Sequence, residues 1–191
     1  MQHSDQPHIE LDRARAALDA MRSSKTLEEF EENWKDFLRR IERTWNKVTA
    51  HFGKSPKWDV WRGKFEALRK TDQLLSYLVN ARGAEEHTVN EVMGREPGGI
   101  GINPAEGNSL YIERMEVNNG KITIQSPQKL RIEFIPARAT LVPIVNRGKT
   151  YSVPTNHLGG RIEPSDVLAV ADAALAFYRD ALEQAEKFFV K

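Results

Sequence analysis

The chain has 191 residues, of which 40% are hydrophobic and 29% charged, and its formal net charge is +1. This balance excludes a protein that works mainly through a strongly basic or acidic tail. The absence of cysteine excludes disulfides, thiolate zinc sites and a cysteine nucleophile. No apolar run approaches the roughly 18 residues of a transmembrane helix, and the first ten residues lack the pattern of a secretory signal. We therefore expect a single domain over residues 1–191 that is cytoplasmic and makes no membrane contact.

Helical spacing of apolar residues dominates the first half of the chain, residues 9–93. A first helix is predicted from Ile9 to about Met21. The second and clearest helix begins after Thr26, which forms a capping-box pattern with Glu29, and ends near Gly53. Between these ends, apolar side chains recur at steps of three and four, which predicts one buried stripe along the helix.

A third helix is predicted from about Lys57, and it either continues or breaks near Thr71 before the apolar pattern resumes. Residues 94–108 then contain five glycines and two prolines, which predicts an irregular loop. The Gly98-Gly99-Ile100-Gly101 run lacks the Gly-Lys-Ser/Thr ending and the strand–helix context of a phosphate-binding loop. We interpret the segment as a linker or lid.

Residues 109–153 have the alternating pattern of antiparallel strands. Asn118-Asn119-Gly120 is typical of a type I′ hairpin turn. In the segment 130–134, Leu, Ile and Phe alternate with Arg and Glu, which predicts a sheet with one buried and one solvated face. Two further strands are predicted over 139–145 and 149–153, so the segment is expected to form a β-meander.

The last predicted helix covers residues 164–189, with Ser165 as a candidate N-cap. Its apolar stripe, from Val167 to Phe189, has no neighbour in sequence, so we expect it to pack on the N-terminal helices. The predicted fold class is α+β: mainly an α-helical bundle with an antiparallel β-meander inserted before the C-terminal helix.

One group of residues suggests chemistry, the segment Tyr77-Leu-Val-Asn-Ala-Arg82-Gly-Ala-Glu-Glu-His87. Its Arg-x4-His spacing resembles the motif of the HEPN superfamily of small helical-bundle proteins, in which the form Arg-Asn-x-x-Glu-His is common. The resemblance implies a metal-independent endoribonuclease of a toxin or defence system. It implies Arg82 and His87 as catalytic residues, with Tyr77 and Glu86 in support, no cofactor or metal, and a homodimer whose two motifs face one cleft.

The chemistry of these side chains fits RNA cleavage. Histidine can act as acid or base near neutral pH, and arginine offers a permanent planar charge to phosphate oxygens. Five positions along a helix correspond to about 500° of rotation, so the two side chains would diverge by about 140°. They converge only if Arg82 lies in a turn before the helix, and Gly83 permits such a turn. In the HEPN pattern, however, the residue after the arginine is usually polar.

Three interpretations remain open. The first is the ribonuclease. The second is a catalytically silent HEPN-like module that binds a nucleotide, RNA or a protein. The third is an unrelated α+β interaction protein, in which the one-sided sheet is the partner surface and Arg82 and His87 point apart, far from any cleft. For the motif itself, the alternative to catalysis is a surface ion pair between Arg82 and Glu85 or Glu86. Histidine pairs at metal-ligand spacing are lacking, so no metal site is predicted.

A basic stripe on the second helix is a further candidate RNA-binding surface. Between Lys35 and Lys70, eleven basic residues stand against four acidic ones. Arg39, Arg43 and Lys47 fall on one side of the helix, a pattern that can follow a phosphate backbone. We favour the alternative of a solvated helix face with the nearby tryptophans in the core, because these tryptophans lie on apolar stripes.

Overall fold

The computed structural model describes residues 5–87 and 92–190, apart from the side chains of Glu86 and His87. The described part contains five helices, which are α1 (Gln6–Ser23), α2 (Leu27–Phe52), α3 (Trp58–Thr71), α4 (Gln73–His87) and α5 (Val167–Phe189). Its strands are β1 (Met93–Glu96), β2 (Gly99–Pro104), β3 (Arg114–Asn118), β4 (Lys121–Gln125), β5 (Leu130–Ile135), β6 (Arg138–Leu141), β7 (Ile144–Asn146), β8 (Lys149–Tyr151), β9 (Asn156–His157) and β10 (Gly160–Arg161). The predicted α+β class, with antiparallel strands before a C-terminal helix, is confirmed.

The chain divides into two compact units. The larger unit comprises residues 1–95 and 139–191, and the smaller unit is Glu96–Arg138. All five helices belong to the larger unit, and so does every buried residue in the described part of the chain.

The long helix α2 forms as its sequence predicts. The Thr26 hydroxyl accepts the Glu29 N–H at 3.1 Å, and the Glu29 carboxylate accepts the Lys25 N–H at 2.8 Å. The first bond satisfies a donor that the start of the helix leaves free, and the second ties the residue before the cap to the first turn. The apolar stripe is buried in the centre of the larger unit, where Trp34 is 0% exposed.

Helix α5 packs against α1 and α2, as expected for its unpartnered stripe. Phe189 near its end stacks on Phe52 of α2, with ring centroids 5.2 Å apart. The N-cap of α5 is Asp166 and not the candidate Ser165, so the helix begins one residue later than that candidate suggested. The Asp166 carboxylate accepts the Ala169 N–H at 2.9 Å. A carboxylate also suits the partial positive charge of a helix N-terminus.

A buried arginine joins α3 to α2 and α5. Arg69 is 8% exposed, and its Nε donates to the Tyr178 hydroxyl at 3.2 Å. Its terminal nitrogen binds the Glu42 carboxylate, and its guanidinium lies 4.9 Å from the centre of the Trp45 ring. The predicted placement of Trp34, Trp45 and Trp58 in the core is confirmed, since each is at most 4% exposed.

The strands pair as five two-stranded antiparallel sheets: β1 with β6, β2 with β5, β3 with β4, β7 with β8, and β9 with β10. The predicted type I′ turn is present at Asn119-Gly120, where both residues have positive φ angles, and the same arrangement recurs at Arg147-Gly148. The strand predicted over 139–145 is instead divided into β6 and β7.

The prediction of an irregular loop at 94–108 was wrong, because this segment contains all of β2 and most of β1. Glycine here permits close backbone approach: a Cβ at Gly98 would lie 2.8 Å from both the Ile135 oxygen and the Ala137 nitrogen. Strand β2 then pairs with β5 over six residues, from Gly99 opposite Ile135 to Pro104 opposite Leu130. The high glycine and proline content of residues 94–108 was interpreted as a sign of an irregular loop. In the structure, the glycines instead allow the close backbone approach that strand pairing requires.

The predicted burial of one face of these strands was also wrong. In β5, Phe134 is 77% exposed and Ile132 is 54% exposed, and in β3 Val117 is 64% exposed. None of the residues of the smaller unit, Glu96–Arg138, is buried, and the structure describes all of them. The alternation of the sequence correctly separates an apolar from a polar face, but this chain does not cover the apolar one.

Candidate functional site

The motif segment lies on one continuous helix. Helix α4 runs from Gln73 to His87, so the turn that Gly83 would permit is absent. On a continuous helix, positions 82 and 87 are about 140° apart around the axis. The side chains of Glu86 and His87 lie outside the described residues, so the roles predicted for them stay predictions.

Tyr77 is placed in a structural position. Its side chain is 1% exposed, and its hydroxyl donates to the Val142 carbonyl at 2.8 Å. Burial raises the pKa of Tyr77 well above its usual range, although the hydrogen bond to Val142 acts in the opposite direction. The phenol is therefore neutral, and it holds the segment before β7 against α4.

A cavity of about 260 Å³ lies beside Arg82, between α4 and the β7–β8 hairpin. Its described polar lining consists of Asn80 and Arg82 from α4 and of Asn146, Arg147 and Tyr151 from the hairpin. Two arginines from separate elements thus line one small cavity, and no carboxylate is among the described lining residues. Such a lining attracts an anion.

The two asparagines form a chain that fixes one wall of the cavity. Asn146 Nδ2 donates to Asn80 Oδ1 at 3.0 Å, and Asn80 Nδ2 donates to the Ser76 carbonyl at 2.7 Å. Gly83 makes room for this contact, because a Cβ at Gly83 would lie 2.7 Å from Asn146 Nδ2. The glycine inside α4 is therefore explained by close packing of the hairpin and not by a turn.

The second arginine occupies an unusual backbone position. Arg147 has a φ angle of 50°, in the region that asparagine and glycine adopt most readily. The turn brings the Arg147 side chain to the cavity, and Tyr151 on the next strand adds an aromatic ring with Lys149 Nζ 5.1 Å from its centre. Asn146, Arg147 and Tyr151 were not among the site residues predicted from the sequence. The turn was recognisable, but nothing local showed that it would meet α4.

A second polar cluster lies at the other end of α4, around Asp72. The Asp72 carboxylate accepts the N–H groups of Leu75 at 3.0 Å and Leu158 at 2.7 Å, and His157 Nδ1 lies 2.9 Å from it. Burial by itself raises the pKa of Asp72, but these hydrogen bonds outweigh it, and the pKa lies below its ordinary value. Asp72 therefore caps α4 and ties it to the β9–β10 turn.

Two open cavities of about 470 and 510 Å³ flank Asp72. Their only charged lining residues in the described part of the chain are Lys70 and Asp72, and the carboxylate of Asp72 is already engaged by three donors. The smaller cavity beside Arg82, with two arginines in its described lining, is therefore the better candidate for a charged ligand.

The basic stripe of α2 lies elsewhere. Arg43 Nε is 3.4 Å from the Glu10 carboxylate of α1, and Arg39 Nε donates to the Lys35 carbonyl at 3.3 Å. Lys47 is half-buried, and none of the three stripe residues lines the cavity beside Arg82. The structure therefore does not bring the stripe and Arg82 together in one cavity.

Among the described residues, no three His, Asp, Glu or Cys side chains are grouped closely enough to hold a metal ion. Within the same ranges, each helix is too short or too polar to cross a bilayer. Comparison of the chain with protein-family models, with curated proteins and with solved structures found no match in any of the three.

Proposed function

We propose that the protein is a HEPN-like RNA-binding module that holds a backbone phosphate in the cavity between α4 and the β7–β8 hairpin. One observation carries the proposal: Arg82 and Arg147 line a single cavity of about 260 Å³ without a carboxylate among its described lining residues. The proposal places the protein in the cytoplasm, where RNA is available.

The chemistry of the lining fits a phosphodiester. A guanidinium offers two parallel N–H donors to phosphate oxygens, and asparagine amides supply further neutral donors. Tyr151 presents an aromatic ring beside these groups, and stacking of a base on an aromatic ring is a common way to bind single strands. The cavity is smaller than the roughly 300 Å³ at which drug-sized ligand pockets begin, which favours one phosphate and its sugar over a larger ligand.

Binding is favoured over cleavage because of the geometry of α4. The catalytic interpretation needs Arg82 and His87 to converge on one phosphate, whereas a continuous helix separates their positions by about 140°. A homodimer, as the HEPN resemblance implies, would bring a second motif to the same RNA. Endoribonuclease activity of a toxin or defence type is therefore kept as the second candidate function, with Arg82 and His87 as its catalytic residues and Glu86 in support.

Fluorescence anisotropy with a short labelled single-stranded RNA tests the binding proposal. Arg147→Ala should weaken binding about ten- to a hundredfold, because hydrogen bonds to charged groups contribute about 1.5–3 kcal/mol each. Arg147→Lys should recover only part of the loss, since lysine keeps the charge but not the planar fork. Arg147→Ala should also reduce the slope of log K against log salt by about 0.7.

Arg179→Ala is the matched control, because Arg179 is an exposed arginine on α5 that does not line the cavity. Equal weakening by both alanine variants would show non-specific attraction and would contradict the proposed site. Competition by inorganic phosphate and by a mononucleotide separates recognition of an isolated phosphate from recognition of an RNA strand.

The same RNA, run on a denaturing gel after incubation in chelator, tests the second candidate. Cleavage that His87→Ala abolishes and Arg82→Ala strongly reduces would establish a metal-independent ribonuclease. Equal cleavage by wild type and His87→Ala, or cleavage by neither, would remove that candidate and leave the binding module.

A further inference from the structure

The smaller unit, Glu96–Arg138, presents an apolar surface. In the β2–β5 ribbon, Ile100 lies opposite Phe134 and Ile102 lies opposite Ile132, so their side chains share one face. Ile100 is 42% exposed, Ile132 54% and Phe134 77%. Two-stranded ribbons are only marginally stable alone, and exposed apolar faces of this kind mark association surfaces.

The charge of the unit indicates what kind of partner it meets. Residues 96–138 contain five acidic and five basic side chains, so the unit is electrically neutral. A surface for a phosphate backbone would carry an excess of lysine and arginine. The neutral unit instead suits a protein partner with a similar balance of charges.

The free edge of β5 carries a self-complementary sequence. Among the described residues β5 pairs with β2 alone, so its other edge is open. The segment Leu130-Arg131-Ile132-Glu133-Phe134 is symmetric about Ile132, with an apolar residue at each end and opposite charges at equal distances from the centre. Arg131 and Glu133 are both exposed. They make no ion pair with each other or with any other residue in the described part of the chain.

We propose that a second copy of this chain pairs its β5 edge, antiparallel, with the β5 edge of the first, with the two-fold axis at Ile132. In this register Arg131 of each copy lies directly opposite Glu133 of the other, and the two Ile132 side chains face each other. Leu130 lies opposite Phe134, so apolar side chains meet apolar ones on one face and charges meet opposite charges on the other.

Alternative registers are less favourable. A shift by one residue would place Ile132 opposite Glu133 and would mix apolar and charged side chains on each face. The symmetric register joins two ribbons into a four-stranded sheet, β2–β5–β5–β2, and it covers an edge that is otherwise exposed to any other strand. Because a two-fold axis repeats each contact, each copy supplies the arginine of one ion pair and the glutamate of the other.

Charge reversal tests the pairing directly. Arg131→Glu places like charges opposite each other in a homodimer, and so does Glu133→Arg. Each single variant should therefore dissociate at least about tenfold more readily than wild type in analytical ultracentrifugation. An equimolar mixture of the two variants should recover a heterodimer, and the double variant Arg131→Glu/Glu133→Arg should recover the homodimer.

Lys121→Glu is the matched control, because it reverses an exposed charge on β4 of the same unit, outside the proposed edge. Circular dichroism of each variant checks that the fold is retained. Recovery of a dimer in the mixture of the two single variants would support the proposed register, because a general effect of charge on association would not depend on pairing these two positions. A monomeric wild type across the concentration range, or single variants that still dimerise like wild type, would overturn the proposal. The RNA proposal would be unaffected, since its residues lie outside 96–138.

Discussion

Replacing Gly83 by alanine tests whether the β7–β8 hairpin rests on α4 as described. A Cβ at this position would lie 2.7 Å from Asn146 Nδ2 and 3.4 Å from Asn146 Cγ. These atoms belong to the end of a side chain, so Asn146 can move away. Its hydrogen bond to Asn80 would then be lost. The substitution therefore combines a gain in helix propensity with the loss of one tertiary contact.

The two effects are similar in size. Alanine is favoured over glycine inside a helix by about 1 kcal/mol, and the lost hydrogen bond costs about 1 kcal/mol. Gly83→Ala alone should consequently leave the free energy of unfolding nearly unchanged. In an Asn146→Ala background the steric conflict is gone, and the same substitution should stabilise the protein by the full amount, about 1 kcal/mol.

Urea unfolding followed by far-ultraviolet circular dichroism measures this double-mutant cycle, provided that the m value stays constant. Gly63→Ala is the control, since Gly63 lies inside α3 and a Cβ there meets nothing within 4 Å, so it should stabilise by about 1 kcal/mol. A coupling free energy below about 0.3 kcal/mol between positions 83 and 146 would refute the packing described for the hairpin.

Two further predictions concern the scaffold. Removing residues 164–191 would take away the eleven buried side chains of α5, so the 1–163 fragment should be insoluble; a soluble fragment with cooperative unfolding would contradict this packing. Because the folded pKa of Asp72 is lowered, its carboxylate stabilises the fold above about pH 4, and that stability is lost as the pH falls through the folded pKa. The difference in unfolding free energy between wild type and Asp72→Asn should therefore shrink at acidic pH. Asp12→Asn, on the exposed face of α1, serves as control.

The helical half of the fold was predictable because its signals are local. The apolar stripe of α2 and the Thr26 cap each depend on residues a few positions apart. The break between α3 and α4 was left open by the sequence, because the apolar pattern resumes directly after it. The type I′ turn at Asn119-Gly120 was predictable for the same reason, since it needs only two residues with positive φ angles. The packing of α5 also followed from its sequence, because an apolar stripe of that length must be covered.

The strands of the smaller unit were predicted less well because pairing joins residues distant in sequence. Strand β2 is rich in glycine, and it becomes a strand through its ladder with β5, some thirty residues later. The alternation in β5 correctly predicted two distinct faces, but alternation alone does not reveal which chain covers the apolar one. A second copy that pairs along β5 would cover the open edge of this strand and extend the apolar face over four strands.

The candidate site depends on a contact that the sequence alone did not reveal. The HEPN-like pattern leads one to expect a polar residue after Arg82, commonly asparagine, and the chain has Gly83 there. The structure places the amide of Asn146 over that glycine, 2.7 Å from where a Cβ would be. A polar group is thus present next to Arg82, but β7 supplies it in place of α4. The same hairpin brings Arg147 to the cavity, so the glycine both removes the expected side chain and admits the segment that replaces it.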